Sequence, residues 1–280
     1  MTTAPHAHIA PFVDKASTLP AMPEVAVKLL RSFERDDLSL AELAGLIGRD
    51  QALAAKVLRL ANSARYSPTH AISSLRDASA MLGLRSMRDL TLSACMAGAF
   101  PKLRGFDRLE FWRGTLAVAA YAQPIARMLD VDEDTAYLGG LMLRTGQILM
   151  LMVDPANTLL AERHAVDLDS RIYFETSLMG CNHPEVTAEL ARHWHFPQVL
   201  VNAFGAATDP LAARPFCRLG AVLRLASVVA DCHERGEPVD YGLRLTQAPL
   251  LAHLQLDLAW LQAHLPDHRL ATAGVEDLMH

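Results

Sequence analysis

Arg144 lies in the stretch GLMLRTGQILML, residues 140–151, where only Thr145 and Gln147 accompany it as polar residues. A guanidinium stays charged at any relevant pH and carries donors but no lone pair to give. It can pair with a carboxylate, hold an anion or reach water. Left unpaired in a core it would cost several kcal/mol. The remaining reactive side chains form weaker patterns. Cys95, Cys181, Cys217 and Cys232 make no CxxC pair and no metal-type cluster, so reduced, mostly buried thiols are expected. His193 and His195 flank Trp194, and two positions apart on a helix they point to different faces, as a surface or packing pair does. His164, His233, His253, His264 and His268 show no ligand spacing with acidic residues, and His6 and His8 fall in the N-terminal tail. There is no Gly-rich phosphate loop, no GxSxG and no Cys–His nucleophile context.

The elements that must position Arg144 read as helices. In LPAMPEVAVKLLRSF, Pro20 and Pro23 precede an amphipathic run in which Val25, Leu29, Leu30 and Phe33 recur at helical spacing. Ser39 with Glu42 makes a capping-box pattern, and Asp50 is placed to cap QALAAKVLRLANSA. Ser67–His70 is a turn. SSLRDASAML is a helix stopped by Gly83, and LRSMRDLTLSACMAGAF is the next. FWRGTLAVAAYAQPIARML is a long helix that Pro124 should kink or break. DEDTAYLGGLMLRTGQILMLM reads as one buried helix with Arg144 inside it. Another helix is expected to start after His183, with Pro184 at its first position. No strand pattern of useful length occurs, so the fold class is all-α.

Composition agrees. The 280 residues are 51% hydrophobic but only 6% aromatic, and Ala and Leu dominate, which favours helices over sheets. A net charge of −5 argues against general nucleic-acid binding. LSLAELAGLIGRDQALAAKVLRLAN scans like a helix-turn-helix, but its second helix is apolar on most sides. It offers only Gln51, Lys56 and Arg59 to base edges, so a buried bundle helix is the better reading and DNA binding is not expected. The N-terminus lacks the basic and apolar regions of a signal peptide, and residues 137–153 are too short and too polar to span a bilayer.

Several long segments together carry a family resemblance. LPAMPEVAVKLL, ELAGLIGRDQALAAKVLRLANSARY, AISSLRDASAMLGLRSMRDL, Phe111-Trp112, YLGGLMLRTGQIL, GCNHPEVTAELARHWHFP and ASVVADC resemble HDOD proteins, the bacterial HD-related output domains. The likeness runs from about residue 17 to 233. It implies a helical bundle related to HD phosphohydrolases and a cytoplasmic role in bacterial signalling. The implied organisation is a flexible tail over residues 1–16, an N-terminal helical subdomain over 17–105, a degenerate HD-like subdomain over 106–235 and a C-terminal extension over 236–280. The amphipathic segment LLAHLQLDLAWLQAHL in that extension should pack back on the domain.

HD enzymes hold divalent metals through His and Asp on neighbouring helices and use them to activate water against a phosphoester. By the resemblance, Leu143 and Arg144 stand where the His–Asp pair would be. Gly114 stands where a further histidine is expected, as do Gly205 and Ala206. His183 and Asp231 survive. Two donors do not make a di-metal site. A divalent ion about 4 Å from a guanidinium would cost about 8 kcal/mol at an effective dielectric of about 20. No metal, cofactor or catalytic residue is therefore expected. Three readings remain for Arg144: it occupies the vacated pocket and pairs with Asp231 within about 4 Å, with His183 nearby; it snorkels to the surface; or it binds an anion such as a nucleotide phosphate. The resemblance implies a regulatory module contacting other signalling proteins, of GGDEF, EAL or chemotaxis type, in cyclic-di-GMP, motility or stress pathways. A nucleotide phosphohydrolase and a DNA-binding regulator are the alternatives.

Overall fold

The structure, a computed structural model, describes residues 8–16, 18–19, 24–35, 38–66, 71–101 and 103–279. Residues 1–7 with His6, Pro20, Pro23, the Ser67–His70 turn and the side chain of Phe33 lie outside the described residues. Among the described residues all regular structure is helical. The N-terminal part holds α1 (Ala10–Ala16), α2 (Glu24–Arg35), α3 (Leu40–Ile47), α4 (Gln51–Ala61) and α5 (Leu75–Ala99). The middle holds α6 (Arg108–Met128), α7 (Glu133–Leu143), α8 (Thr145–Val153), α9 (Pro155–His164), α10 (Leu168–Met179), α11 (His183–His193), α12 (Gln198–Ala206) and α13 (Arg218–Arg235). The chain closes with α14 (Val239–Leu254), α15 (Leu258–His264), α16 (His268–Ala271) and α17 (Val275–Met279).

Local chemistry explains many of the boundaries. Ser39 accepts from the Glu42 amide while the Glu42 carboxylate accepts from Ser39, the reciprocal capping box its spacing predicts. Asp50 accepts from the Leu53 amide and starts α4. Gly83 breaks α5 at φ 72° and ψ 178°, a conformation that costs a side chain too much strain. Pro124 does not end α6, which continues to Met128. The start of α11 differs slightly from expectation: Asn182 is the cap and His183 is already helical.

Packing centres on α6, α7 and α13, with Trp112, Tyr121, Leu138 and Val222 almost fully buried. Gly140 lets α7 press against α6: a Cβ there would sit 2.6 Å from the Ala119 Cα. The helix α4 turns Leu53, Val57, Leu60 and Ala61 inward against α5, as its apolar pattern requires. Two expectations fail. Residues up to 16 do not all form a loose tail, because Ile9 and Phe12 are buried and α1 packs on α8 and α11. Burial of these two apolar side chains favours ordering the short helix against the bundle. Nor is the stretch 132–152 one helix: α7 stops at Leu143 and α8 begins at Thr145, with Arg144 at φ −86° and ψ −5° between them. The segment Glu133–Val153 is long and apolar enough to cross a membrane by composition, yet it lies mostly buried in the bundle.

The C-terminal helices pack back on the domain. Leu261, Ala271, Val275 and Leu278 are buried, and α17 touches α4, α5 and α6. Arg65 donates to the Ala271 carbonyl at 3.1 Å and to Gln123 Oε1 at 3.5 Å, and Gln123 donates to Asp89 Oδ2 at 3.1 Å. This buried polar chain ties the N-terminal helices to α6 and to the C-terminal extension. Burial pushes the Asp89 carboxyl up to about 8.

Candidate functional site around Arg144

The α7–α8 junction opens onto a cavity of about 190 Å³. Arg144, His183 and Asp231 all line it, so the three residues singled out in the sequence do come together. Their pairing differs from expectation. Arg144 Nη1 lies 3.5 Å from Glu234 Oε1, whereas Asp231 Oδ2 lies 3.0 Å from Arg235 Nη2 and so has a different partner. Glu234 sits three residues after Asp231 on α13, one turn further along nearly the same face, which makes the two acids rivals for one cation. Asp231 is closed off by Arg235 four residues beyond it on its own helix.

The guanidinium fills a hole left by a missing side chain. A Cβ on Gly114 would lie 1.8 Å from Arg144 Nη1 and 2.4 Å from Glu234 Oε1. Arg144 also lies over the Phe111 ring, 5.5 Å from its centre. The cation thus occupies the space beside α6 that any side chain at position 114 would need. Burial lowers the Arg144 pKa from its usual value and Glu234 partly restores it. The snorkelling reading does not describe this side chain, which is only 19% exposed and points at α6 and α13.

Behind the cavity, His183 and Glu175 make a buried dyad that sequence spacing did not reveal. His183 donates its backbone N–H to Glu175 Oε2 at 2.9 Å, and its Nδ1 lies 2.7 Å from the same oxygen. Both side chains are 2% exposed. Burial raises the Glu175 pKa, but the His183 ring and its hydrogen bonds prevail and hold it below the ordinary carboxylate range. The dyad claims Nδ1 and leaves Nε2 as the unengaged ring nitrogen of a residue that lines the cavity. Gly146 brings α8 close to α11, where a Cβ would lie 2.2 Å from the His183 carbonyl, and the Gly146 amide donates to Thr187 Oγ1.

The residues present do not suit a divalent metal. His183 Nε2 and Asp231 are the retained donors, Asp231 is engaged by Arg235, and a guanidinium stands in the same cavity. Among the described residues no group of three His, Cys, Asp or Glu side chains is arranged to hold a metal ion. Gly205 and Ala206, the other positions considered, line a separate open groove. His193 and His195 are exposed. His233 and His268 stack with Tyr121 between α13, α16 and α6, a grouping their spacing did not predict.

A sequence profile of the HDOD domain matches residues 19–210. The chain belongs to the HDOD family. Similar solved structures include a candidate phosphohydrolase from Shewanella amazonensis SB2B, 27% identical, covering 97% of this chain and 98% of that one at a TM-score of 0.79. Another is a candidate signal transduction protein from Marinobacter aquaeolei VT8, 22% identical, covering 95% of this HDOD chain and 62% of that one at a TM-score of 0.76. A third is an HDOD domain protein from Geobacter sulfurreducens, 20% identical, covering 94% and 98% at 0.69. The last two show the shared helical fold. An uncharacterised protein of Treponema pallidum (strain Nichols) is 24% identical over 198 residues, 69% of this chain. The chain spans only 38% of that relative's length.

Proposed function

We propose that this HDOD chain is a non-catalytic signal-transduction module that acts by contacting other proteins. One observation carries the reading: the Arg144 guanidinium fills the space beside Gly114 where metal donors would have to stand. Without a Lewis acid to polarise the phosphoryl group or activate water, HD-type hydrolysis loses its driving chemistry. Its partners are then other bacterial signalling proteins in the cytoplasm, of GGDEF, EAL or chemotaxis type, serving cyclic-di-GMP, motility or stress pathways.

Elemental analysis of the purified protein tests this, together with hydrolysis assays on cyclic and linear nucleotides. Sub-stoichiometric metal and no turnover are expected; Fe, Mn or Zn at one or two per chain, with turnover that EDTA removes, would overturn it. Affinity capture from the native bacterium with mass spectrometry identifies the partner. A second reading is a nucleotide phosphohydrolase. It draws support from the relative in Shewanella amazonensis described as a candidate phosphohydrolase, and from the His183–Glu175 dyad. A DNA-binding role has less support, since α4 buries its apolar face and leaves Lys56 and Arg59 half-buried.

A further inference from the structure

The cavity at the α7–α8 junction has two kinds of lining that suit a ligand. The first is a pair of largely buried polar side chains with hydrogen-bonding capacity to spare. Gln147 is 6% exposed, and its amide makes no hydrogen bond among the described residues. His183 is 1% exposed, and only its Nδ1 is engaged, by Glu175. Both residues line the cavity, so their free hydrogen-bonding capacity is open to whatever enters it. The second is a pair of loosely held cations. Arg144 reaches Glu234 only at 3.5 Å, and Arg171 reaches Glu162 only at 3.5 Å. The two guanidinium charges repel, so that each raises the cost of the other.

Three acids also line the cavity, but two are committed. Asp231 is paired with Arg235, and Asp167 caps α10 through the Ser170 amide. Glu234 alone competes for Arg144. The groove at Arg224, where one guanidinium nitrogen has no partner, is a poorer anion site: Asp169 and Asp209 both line it, and Asp169 pairs with Arg224. At the mouth of the Arg144 cavity stands Val166, 74% exposed, with Val118 on the wall, an apolar border for an organic group.

We propose that this cavity binds a small metabolite through an oxyanion group, phosphate or carboxylate, held between Arg144 and Arg171 with Gln147 and His183 Nε2 as hydrogen-bond partners. The guanidinium fork suits a planar or tetrahedral oxyanion. The ligand would displace Glu234 from Arg144 and so shift the α13 end of the cavity. This extends the non-catalytic reading by supplying an input to the module, and it rests on Arg144, rather than a metal, being the positive centre.

The test is isothermal titration of the full chain with inorganic phosphate, 5′-AMP and succinate, with the nucleotide assayed for hydrolysis after each run. Binding of at least one probe is expected. The phosphate and succinate arms distinguish a phosphoryl from a carboxylate ligand. Arg144→Gln should weaken that binding at least about tenfold, the loss of one charge-assisted hydrogen bond. Glu234→Gln should strengthen it severalfold, because it removes the competing carboxylate. Circular dichroism verifies that both variants fold, and the opposite signs cannot both come from misfolding. No heat with any probe up to about 10 mM overturns the site. Binding that neither substitution changes marks an adventitious ion only and overturns it as well. Hydrolysed AMP would overturn the non-catalytic reading while leaving the binding site standing; absent binding leaves that reading untouched.

Discussion

Gly114→Ala sets two structural effects of opposite sign against each other. Replacing a helix-interior glycine by alanine ordinarily stabilises by about 1 kcal/mol, through helix propensity and a less mobile unfolded chain. Gly98, in α5, is the matched control, because a Cβ there meets nothing within 4 Å. At Gly114 the added methyl would lie 1.8 Å from Arg144 Nη1, so the guanidinium must leave. Leaving forfeits a partly exposed ion pair, worth about 1 kcal/mol at most, and the contact over Phe111, worth about 1 kcal/mol. The expected outcome is that Gly98→Ala stabilises by about 1 kcal/mol and Gly114→Ala destabilises by about 1 kcal/mol. In an Arg144→Ala background the penalty should vanish and Gly114→Ala should become stabilising. Urea denaturation followed by circular dichroism reads the parent, the three single variants and the double variant, and the double-mutant cycle isolates the coupling. If Gly114→Ala stabilises as Gly98→Ala does, with or without Arg144, the guanidinium does not fill that space and the reading of the site is wrong.

Three further predictions concern the surroundings. Glu175→Ala removes the acceptor of two buried His183 donors and should cost about 3–5 kcal/mol in urea denaturation; a loss under about 1 kcal/mol would refute the dyad. Because folding lowers the Glu175 pKa, its contribution is present above the ordinary carboxylate value and is lost as pH falls through the lowered one. The variant should therefore lose less stability on acidification than the parent. Asp89 has the opposite sign: its carboxyl is raised to about 8, so its contribution is complete below about pH 4 and is lost as pH rises toward 8. Asp89→Asn should flatten the denaturation midpoint across that window, and an unchanged slope would count against the shift. Leu278→Ala, at a fully buried position of α17, should cost about 2–5 kcal/mol; no effect would mean that the last helix does not pack as described.

Much of the fold could be read from residue patterns, because its signals are local. Ser39 with Glu42 and Asp50 announce helix starts through side chains that reach only three residues ahead. The site was legible as far as residue type allows: Leu143 and Arg144 cannot ligate a metal, and Gly114 brings no side chain. What could not be read depends on geometry between helices. The choice between Asp231 and Glu234 turns on which of two neighbouring turns of α13 faces Arg144 and on Arg235 capturing Asp231. Glu175 meets His183 across the turn at Gly180 that joins α10 to α11, and no spacing rule links the two positions. The break at Arg144 was hidden by the continuous apolar run on both sides, which marks burial but not where one helix ends and the next begins. The helix α1 escaped notice because seven residues are too few to show a period.

The chain from Asp89 through Gln123 and Arg65 to the Ala271 carbonyl crosses three stretches of sequence that share little else. Its consequence is cooperative. The N-terminal helices cannot swing away from α6 unless Arg65 gives up its acceptors, and α16 and α17 cannot peel off without exposing Leu278 and the same guanidinium. In native-state hydrogen exchange the amides of α5, α6 and α17 should accordingly open as a single unit with a common free energy, so that a force applied at the last helix is felt at the first bundle rather than dissipated in a floppy tail.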